Sequence, residues 1–276
     1  LTYWDTIGGA PTGNRWTGFG ARMLVRPTAV AARGNFVLIY DAGTYAVYRY
    51  DRSRNTMTEV KDLQNMVKGE VTAVYLDTDL SFYVTDTDAG RVLYFDSSGH
   101  LLRVFGQDIN LQHPVGVAVD QSSGEVLVAD GFNDFILVLD RMGNVRRTIG
   151  SRGQGPGQFL NITAMTQRGH RVYVGARFAP RLQVLDERGA PLQEIDGGTR
   201  FPTAVAVDAE GRLYVGDYLD NTIKVYDSTG RLIGMAGGTG VGPGRFKRIA
   251  GLWVDQGYLY VADSLNGRIQ VMRIAP

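Results

Sequence analysis

His113 to Asp130 reads HPVGVAVDQSSGEVLVAD. Two short runs rich in β-branched residues flank a polar cluster, DQSSGE, that supplies Asp at its start and Gly where positive φ is needed. This predicts two antiparallel strands, Val115 to Val119 and Val126 to Ala129, joined by a tight turn. The pattern recurs as FPTAVAVDAEGRLYVGD (Phe201 to Asp217) and IAGLWVDQGYLYVAD (Ile249 to Asp263). Looser copies run from Pro27 to Asp41, Val71 to Asp86 and Asn161 to Ala176. The equivalent last positions, Asp41, Asp86, Asp130, Ala176, Asp217 and Asp263, lie 41 to 46 residues apart.

Each unit has room for two further strands, which in the third are Ile136 to Leu139 and Val145 to Ile149. Nowhere do apolar residues recur at helical spacing over three turns. Four strands in roughly 40 to 45 residues is the period of a β-propeller blade. The last unit lacks its fourth strand, and the opening segment resembles one: Trp4-Asp5-Thr6-Ile7-Gly8 parallels Arg146-Arg147-Thr148-Ile149-Gly150. The expected fold is all-β, a six-bladed β-propeller of four-stranded antiparallel blades. Its N-terminal strand closes the last blade, and residues 1–276 form one domain.

Composition removes several functional classes. The chain of 276 residues has no cysteine, so disulfide frameworks, zinc-thiolate clusters and thiol nucleophiles are excluded. Lys and Arg total 29 against 28 Asp and Glu, which does not suit a dedicated nucleic-acid binder. No apolar run approaches the roughly 18 to 20 residues of a membrane-spanning helix, and a soluble protein is expected.

The residues resemble the NHL repeat: a Gly-rich loop ending in Phe, then Pro-x-Gly-Val-Ala-Val-Asp, Leu-Tyr-Val-Ala-Asp and Asn-x-x-Ile-x-Val, most fully in units three, five and six. The resemblance covers the whole chain. It implies a propeller and leaves function open, since such propellers serve as lyases, RNA-binding modules, receptor ectodomains and assembly platforms. The family's zinc lyase places His ligands just after the repeat proline. Here those places hold Thr28, Thr72, Val115, Ile162, Thr203 and Ala250, and none is an imidazole. The three histidines are His100, His113 and His170, the first and last expected on the opposite face from His113. No Gly-x-Ser-x-Gly elbow is present. No catalytic residue, metal ligand or cofactor is therefore expected.

Other patterns read as structural. The Asp series at strand ends is expected to accept backbone N–H groups and fix loops, with Arg91 and Arg268 paired to the Asp of their own units. The glycine runs GSRGQGPGQF (from Gly150) and GGTGVGPGRF (from Gly237) are followed by strands. A phosphate cradle needs a helix N-terminus there, so these loops are expected to link blades, with Phe19, Phe159 and Phe246 as anchors. On the inner strands Ala31, Tyr75, Ala118, Met165, Ala206 and Trp253 occupy one position and are expected to narrow the central channel.

The candidate binding surface is the face carrying the loops between blades and the turns between second and third strands. It would gather Arg15, Trp16, Arg22, Arg26, Tyr45, Arg152, Arg177, Phe178, Arg200, Tyr218, Arg245, Lys247 and Arg248, diluted by Asp62, Glu70, Asp88, Asp134 and Asp220. Acidic turns at Asp77, Asp79, Asp120, Asp140, Asp186, Asp208 and Asp227 would make the opposite face negative. The expected function is a non-catalytic module that binds a protein or peptide or supports assembly. It is expected to be bacterial and exported, in the periplasm or outside the cell. The alternatives are a metal-dependent lyase or lactonase-like enzyme and a single-stranded RNA-binding NHL module. Nucleic acid is the less expected partner, because acids interleave the basic face.

Overall fold

The computed structural model describes residues 1–8, 24–61, 63–67, 69–106, 108–178 and 181–275. Its strands fall into six four-stranded antiparallel sheets. In the third blade the strands are Pro114–Val119, Val126–Asp130, Phe135–Leu139 and Val145–Ile149, within one residue of the sequence reading. The inner strands touch their neighbours all the way round, so the blades form a closed ring. Outside the sheets lie a four-residue helix, Leu63–Met66, a 3-10 turn, Ser264–Asn266, and a two-strand ladder joining Ser151–Arg152 to Gln158–Phe159.

The last blade closes as expected. Thr2–Gly8 pairs antiparallel with Arg268–Arg273, and Ile7 stands opposite Ile269 just as Ile149 stands opposite Ile136. The outer strands of blades two to six share a bulge, which leaves Leu102, Arg146, Leu192, Ile233 and Trp4 without a facing residue. A bulge sharpens the local twist and turns an edge away from regular pairing.

Apolar faces of adjacent blades bury each other, with Tyr40, Phe82, Tyr83, Val128, Phe159, Val215, Phe246 and Tyr260 fully enclosed. Burial without a hydrogen-bond partner pushes the Tyr40 hydroxyl up to about 12. The loop phenylalanines Phe159 and Phe246 anchor the connections as expected, and Phe19 lies outside the described residues. A side chain at Gly150 would meet the Phe159 ring at 2.3 Å, and its φ of 75° favours glycine in any case.

Blades are also stitched by side chains that the sequence reading passed over. Thr28, Thr72, Thr163 and Thr203 donate their hydroxyls to main-chain oxygens of the next blade, those of Val71, Pro114, Pro202 and Ile249. Pairing of Ile162 with Ala176 matches that of Pro27 with Asp41. The position after the repeat proline in blade four is therefore Thr163, one residue beyond the expected Ile162. Blade three has Val115 there and is joined to blade four by the Asp134 carboxylate, which accepts the Ile162 N–H at 3.1 Å.

Candidate functional site

The loop face is built on the Asp series. Asp41, Asp86, Asp130, Asp217 and Asp263 are fully buried, and the four whose backbone contacts follow act as clasps. Asp41 accepts the N–H groups of Val25 and Arg26 on one side and of Gly43 and Thr44 on the other. Asp130 does the same for Gln112 and His113, then Phe132 and Asn133. Asp217 takes the N–H groups of Arg200, Phe201 and Leu219, and Asp263 that of Lys247. Each of these carboxylates ties the loop entering a blade to that blade's second turn, apart from Asp263, whose turn contact is through Asn266 Nδ2. The backbones of Arg26, Arg200 and Lys247 are thus held while their side chains stay exposed.

The buried negative charge is met from the third strand. Arg91 pairs with Asp86 at 2.9 Å and Arg268 with Asp263 at 2.7 Å. Lys224, itself buried, reaches Asp217 and also sits 3.2 Å from Asp220. The lysine was missed because it stands one position beyond the strand residue whose neighbouring arginines drew attention. Blade four has Ala176 in place of Asp, and its turn is held through backbone bonds from Arg177 to Asn161 and from Phe178 to Leu160.

The face does not unite all the expected residues. Arg15, Trp16 and Arg22 lie outside the described residues. Arg177, Phe178 and Tyr218 come together through Phe201, an unforeseen member. The Arg177 guanidinium lies 5.1 Å from the Phe201 ring and 5.6 Å from Phe178, and Phe201 contacts Tyr218 at 5.4 Å. Arg200 is 3.9 Å from Asp220, and Arg152 is 3.7 Å from Asp134, whose carboxyl is raised by burial. Arg245 turns back to donate to the Gly237 oxygen at 2.7 Å, and Arg248 is half-buried at a φ of 62°. Arg245 stays exposed while making this bond. Tyr45 and Arg26 stand exposed on blade one, and Arg26 reaches the Ala42 oxygen at 3.4 Å.

One regularity escaped the sequence reading. The residue two places after the repeat's last position is Phe132, Phe178, Leu219 and Leu265 in blades three to six, exposed by 59%, 52%, 54% and 60%. Blades one and two have Gly43 and Asp88 there. Four consecutive blades thus lift one large apolar side chain each into solvent from equivalent turns. Phe178 was already expected on this face, whereas for Phe132, Leu219 and Leu265 only the coordinates show the side chain facing outward.

The opposite face is not a bare acidic surface. Its turn carboxylates are taken up by backbone N–H groups two and four residues on, as at Asp140, Asp186, Asp208 and Asp227. Arg141, Arg146, Arg212 and Arg231 pair with Asp77, Asp140, Asp208 and Asp227. Four of the seven carboxylates expected to make that face negative thus have a cation beside them.

The hub holds a channel of about 550 Å³. Ala31, Ala118 and Ala206 are buried, while Tyr75 and Trp253 meet edge to face at 5.4 Å and Trp253 packs against three apolar clusters. Tyr75, Ala206 and Trp253 line the channel as expected, Ala31 and Ala118 do not, and pairing puts Thr166, not Met165, at the equivalent position of blade four. At the mouth on the opposite face Asp255 accepts the Gly34 N–H at 2.8 Å, and burial raises its carboxyl against the pull of Arg33, Arg52 and Arg168. Among the described residues no three His, Asp or Glu side chains converge to hold a metal ion. No helix among them is long and apolar enough to cross a membrane.

The NHL repeat profile matches residues 111–139, which span the first two strands of blade three and its third. The chain is a six-bladed β-propeller whose third blade matches the NHL repeat. No curated protein sequence matches this chain. Among solved structures it is similar to streptogramin B lyase, with 12% identity over 91% of this chain and 94% of that one and a TM-score of 0.67. A catalytically inactive virginiamycin B lyase from Staphylococcus aureus, solved with quinupristin, is 13% identical over 91% and 95% of the two chains, with a TM-score of 0.64. A protein of unknown function from Bacteroides thetaiotaomicron is 15% identical over 91% and 70%, with a TM-score of 0.71. At such identities the likeness is one of fold.

Proposed function

We propose that this propeller is a binding module that docks a protein or peptide on its loop face. The observation that carries the reading is the arc of Phe132, Phe178, Leu219 and Leu265, exposed on equivalent turns of four adjacent blades. Large apolar side chains exposed along one face mark interaction surfaces, and aromatic and arginine residues are enriched at the energetic centres of interfaces. The exposed cations Arg177, Arg200 and Lys247 border the arc, so the favoured partner is a segment with apolar anchors among acidic residues. Rigid turns clasped by buried aspartates support this role, since little ordering would be needed on binding.

The lyase names of two structural neighbours are the basis for the second reading. Against it, the family's His positions hold Thr, Val and Ala in this chain. Elemental analysis of purified protein would decide it, stoichiometric zinc, calcium or manganese favouring the enzyme. RNA binding would show a steep loss of affinity with salt. An exported, periplasmic or extracellular bacterial protein remains part of the proposal, supported by the cysteine-free composition rich in Gly and Tyr.

The test is selection of displayed peptides on the immobilised propeller. Peptides rich in Leu or Phe among Asp and Glu are expected, with at least about tenfold weaker binding to Phe178→Asp. Selected peptides that bind Phe178→Asp and Leu219→Asp as tightly as the original protein would remove this face as the site.

A further inference from the structure

Each blade of a propeller ends in an outer strand with one unpaired edge, and a flat, uncharged, apolar edge is a template for another strand. Five of the six outer strands here are guarded. Thr56–Glu59 carries Glu59, Leu101–Phe105 carries Arg103, Val145–Ile149 carries Arg146 and Arg147, Pro191–Glu194 carries a proline and Glu194, and Thr2–Gly8 carries Asp5. Leu232–Gly237 of blade five reads LIGMAG and carries neither charge nor proline. Leu232, Ile233 and Met235 are exposed by 45%, 46% and 64%.

Register sharpens the contrast. Gly234 stands opposite Val225, the place that Arg103, Arg147, Gln193 and Asp5 occupy in their blades. Three of these reach across to the next blade: Arg103 to the Met142 oxygen at 3.2 Å, Arg147 to the Glu187 oxygen at 2.8 Å, and Gln193 to the Thr229 oxygen. At Gly234 that strap is missing, and a built Cβ there would find nothing within 4 Å.

We infer that the outer strand Leu232–Gly237 is a self-association edge whose occupant is the same strand of a second copy of this chain. In a two-fold antiparallel pair, facing residues share a side of the sheet, so the axis must pass through a residue. The bulge removes Ile233 from regular pairing and leaves Gly234 to Gly237 straight; of its two middle residues Met235 is the exposed one, and the axis is placed there. Gly234 then faces Ala236 of the second copy, and the two Met235 side chains meet with the adaptability of thioethers. No charge faces a like charge. Just outside the strand, Arg231 is already paired to Asp227 at 3.2 Å. On the guarded strands the same operation brings like charges near each other across the axis. A strand pair only about 20 Å long buries less area than the about 1,600 Å² of a standard interface. The association is accordingly weak, concentration-dependent, and separate from the loop face.

Sedimentation velocity of the intact chain from about 1 µM to about 1 mM covers the range expected for such an interface. The weight-average mass should climb towards two chains, whereas Met235→Lys should stay at one chain with an unchanged melting temperature. Because the chain has no cysteine, Met235→Cys provides a second readout that does not depend on the lysine variant folding. Mild oxidation should link it into a covalent dimer, and an equally exposed control, Leu265→Cys, should not link. A mass of one chain throughout, equal association of Met235→Lys, or no cross-link above the control would overturn the inference. So would a monomeric protein whose strand amides gain exchange protection only when a foreign extended peptide is added, which would assign the edge to a different partner.

Discussion

Thr203 in blade five donates its hydroxyl to the main-chain oxygen of Ile249 in blade six across 2.7 Å. The bond joins two sheets that share no ladder. Thr163 makes the corresponding bond to Pro202, also at 2.7 Å.

Thr203→Val keeps the shape of the side chain, which blade three already accepts at Val115, and leaves the Ile249 oxygen without that donor. A loss of about 1 kcal/mol in unfolding free energy is expected in urea titrations. Thr203→Val with Thr163→Val should lose close to twice as much, because the two stitches lie in different blade junctions.

Lys224 is the counter-charge of Asp217 within a buried site. Lys224→Met leaves a desolvated carboxylate with only backbone donors, and a destabilisation of about 3 kcal/mol is expected from chemical unfolding. Adding Asp217→Asn should recover part of it, since the uncompensated charge is then gone. A double variant no more stable than Lys224→Met would show that the clasp to Arg200 and Phe201, and not the charge, dominates.

Acid stability follows from the turn carboxylates. Hydrogen bonds from the Thr229 hydroxyl and from backbone N–H groups hold Asp227 down to about 2, from an ordinary 3.8. Asp51, Asp96, Asp140 and Asp120 are lowered by similar turn bonds, against an opposing effect of burial at each. As pH falls below 3.8 the unfolded chain takes protons first, so this stability is complete above that value and is lost as pH drops towards 2. Asp134 and Asp255, raised by burial, act in the opposite sense and in a higher window. Melting temperatures should therefore fall steeply on acidification, and less steeply in Asp227→Asn.

Trp253 bridges the channel to Tyr75. Trp253→Ala opens the hub and forfeits that edge contact. A cost of about 2 kcal/mol is expected, below the 3 to 5 typical of a fully enclosed Trp because this ring is half-buried. Trp253→Phe should cost less than half as much by the same urea titration.

Much of the architecture was legible because blade repeats impose a strict pattern. Alternating apolar residues and Asp or Gly turns recur every 41 to 46 residues, and the likeness of Trp4 to Gly8 to an outer strand located the closure. The Asp clasps were readable too, because an Asp at a strand end has few other things to do. The threonine stitches were not, since a hydroxyl's acceptor lies about 40 residues away in the next blade. Phe201 was taken for repeat scaffolding, and its contacts with Arg177 and Tyr218 exist only once blades four and five stand side by side.

Sequence alone determined the number of blades, their strand order, the latch at the N-terminus and the acid at the head of five of the six second turns. These are local, since period and turn chemistry act within one unit. Tertiary structure decided that Phe132, Leu219 and Leu265 join Phe178 in solvent. It also decided which cations stand beside carboxylates of the opposite face and which outer strand, Leu232–Gly237, is left unguarded. Those outcomes depend on how the ring orients one blade against the next, and burial, strapping and edge exposure arise only from that arrangement.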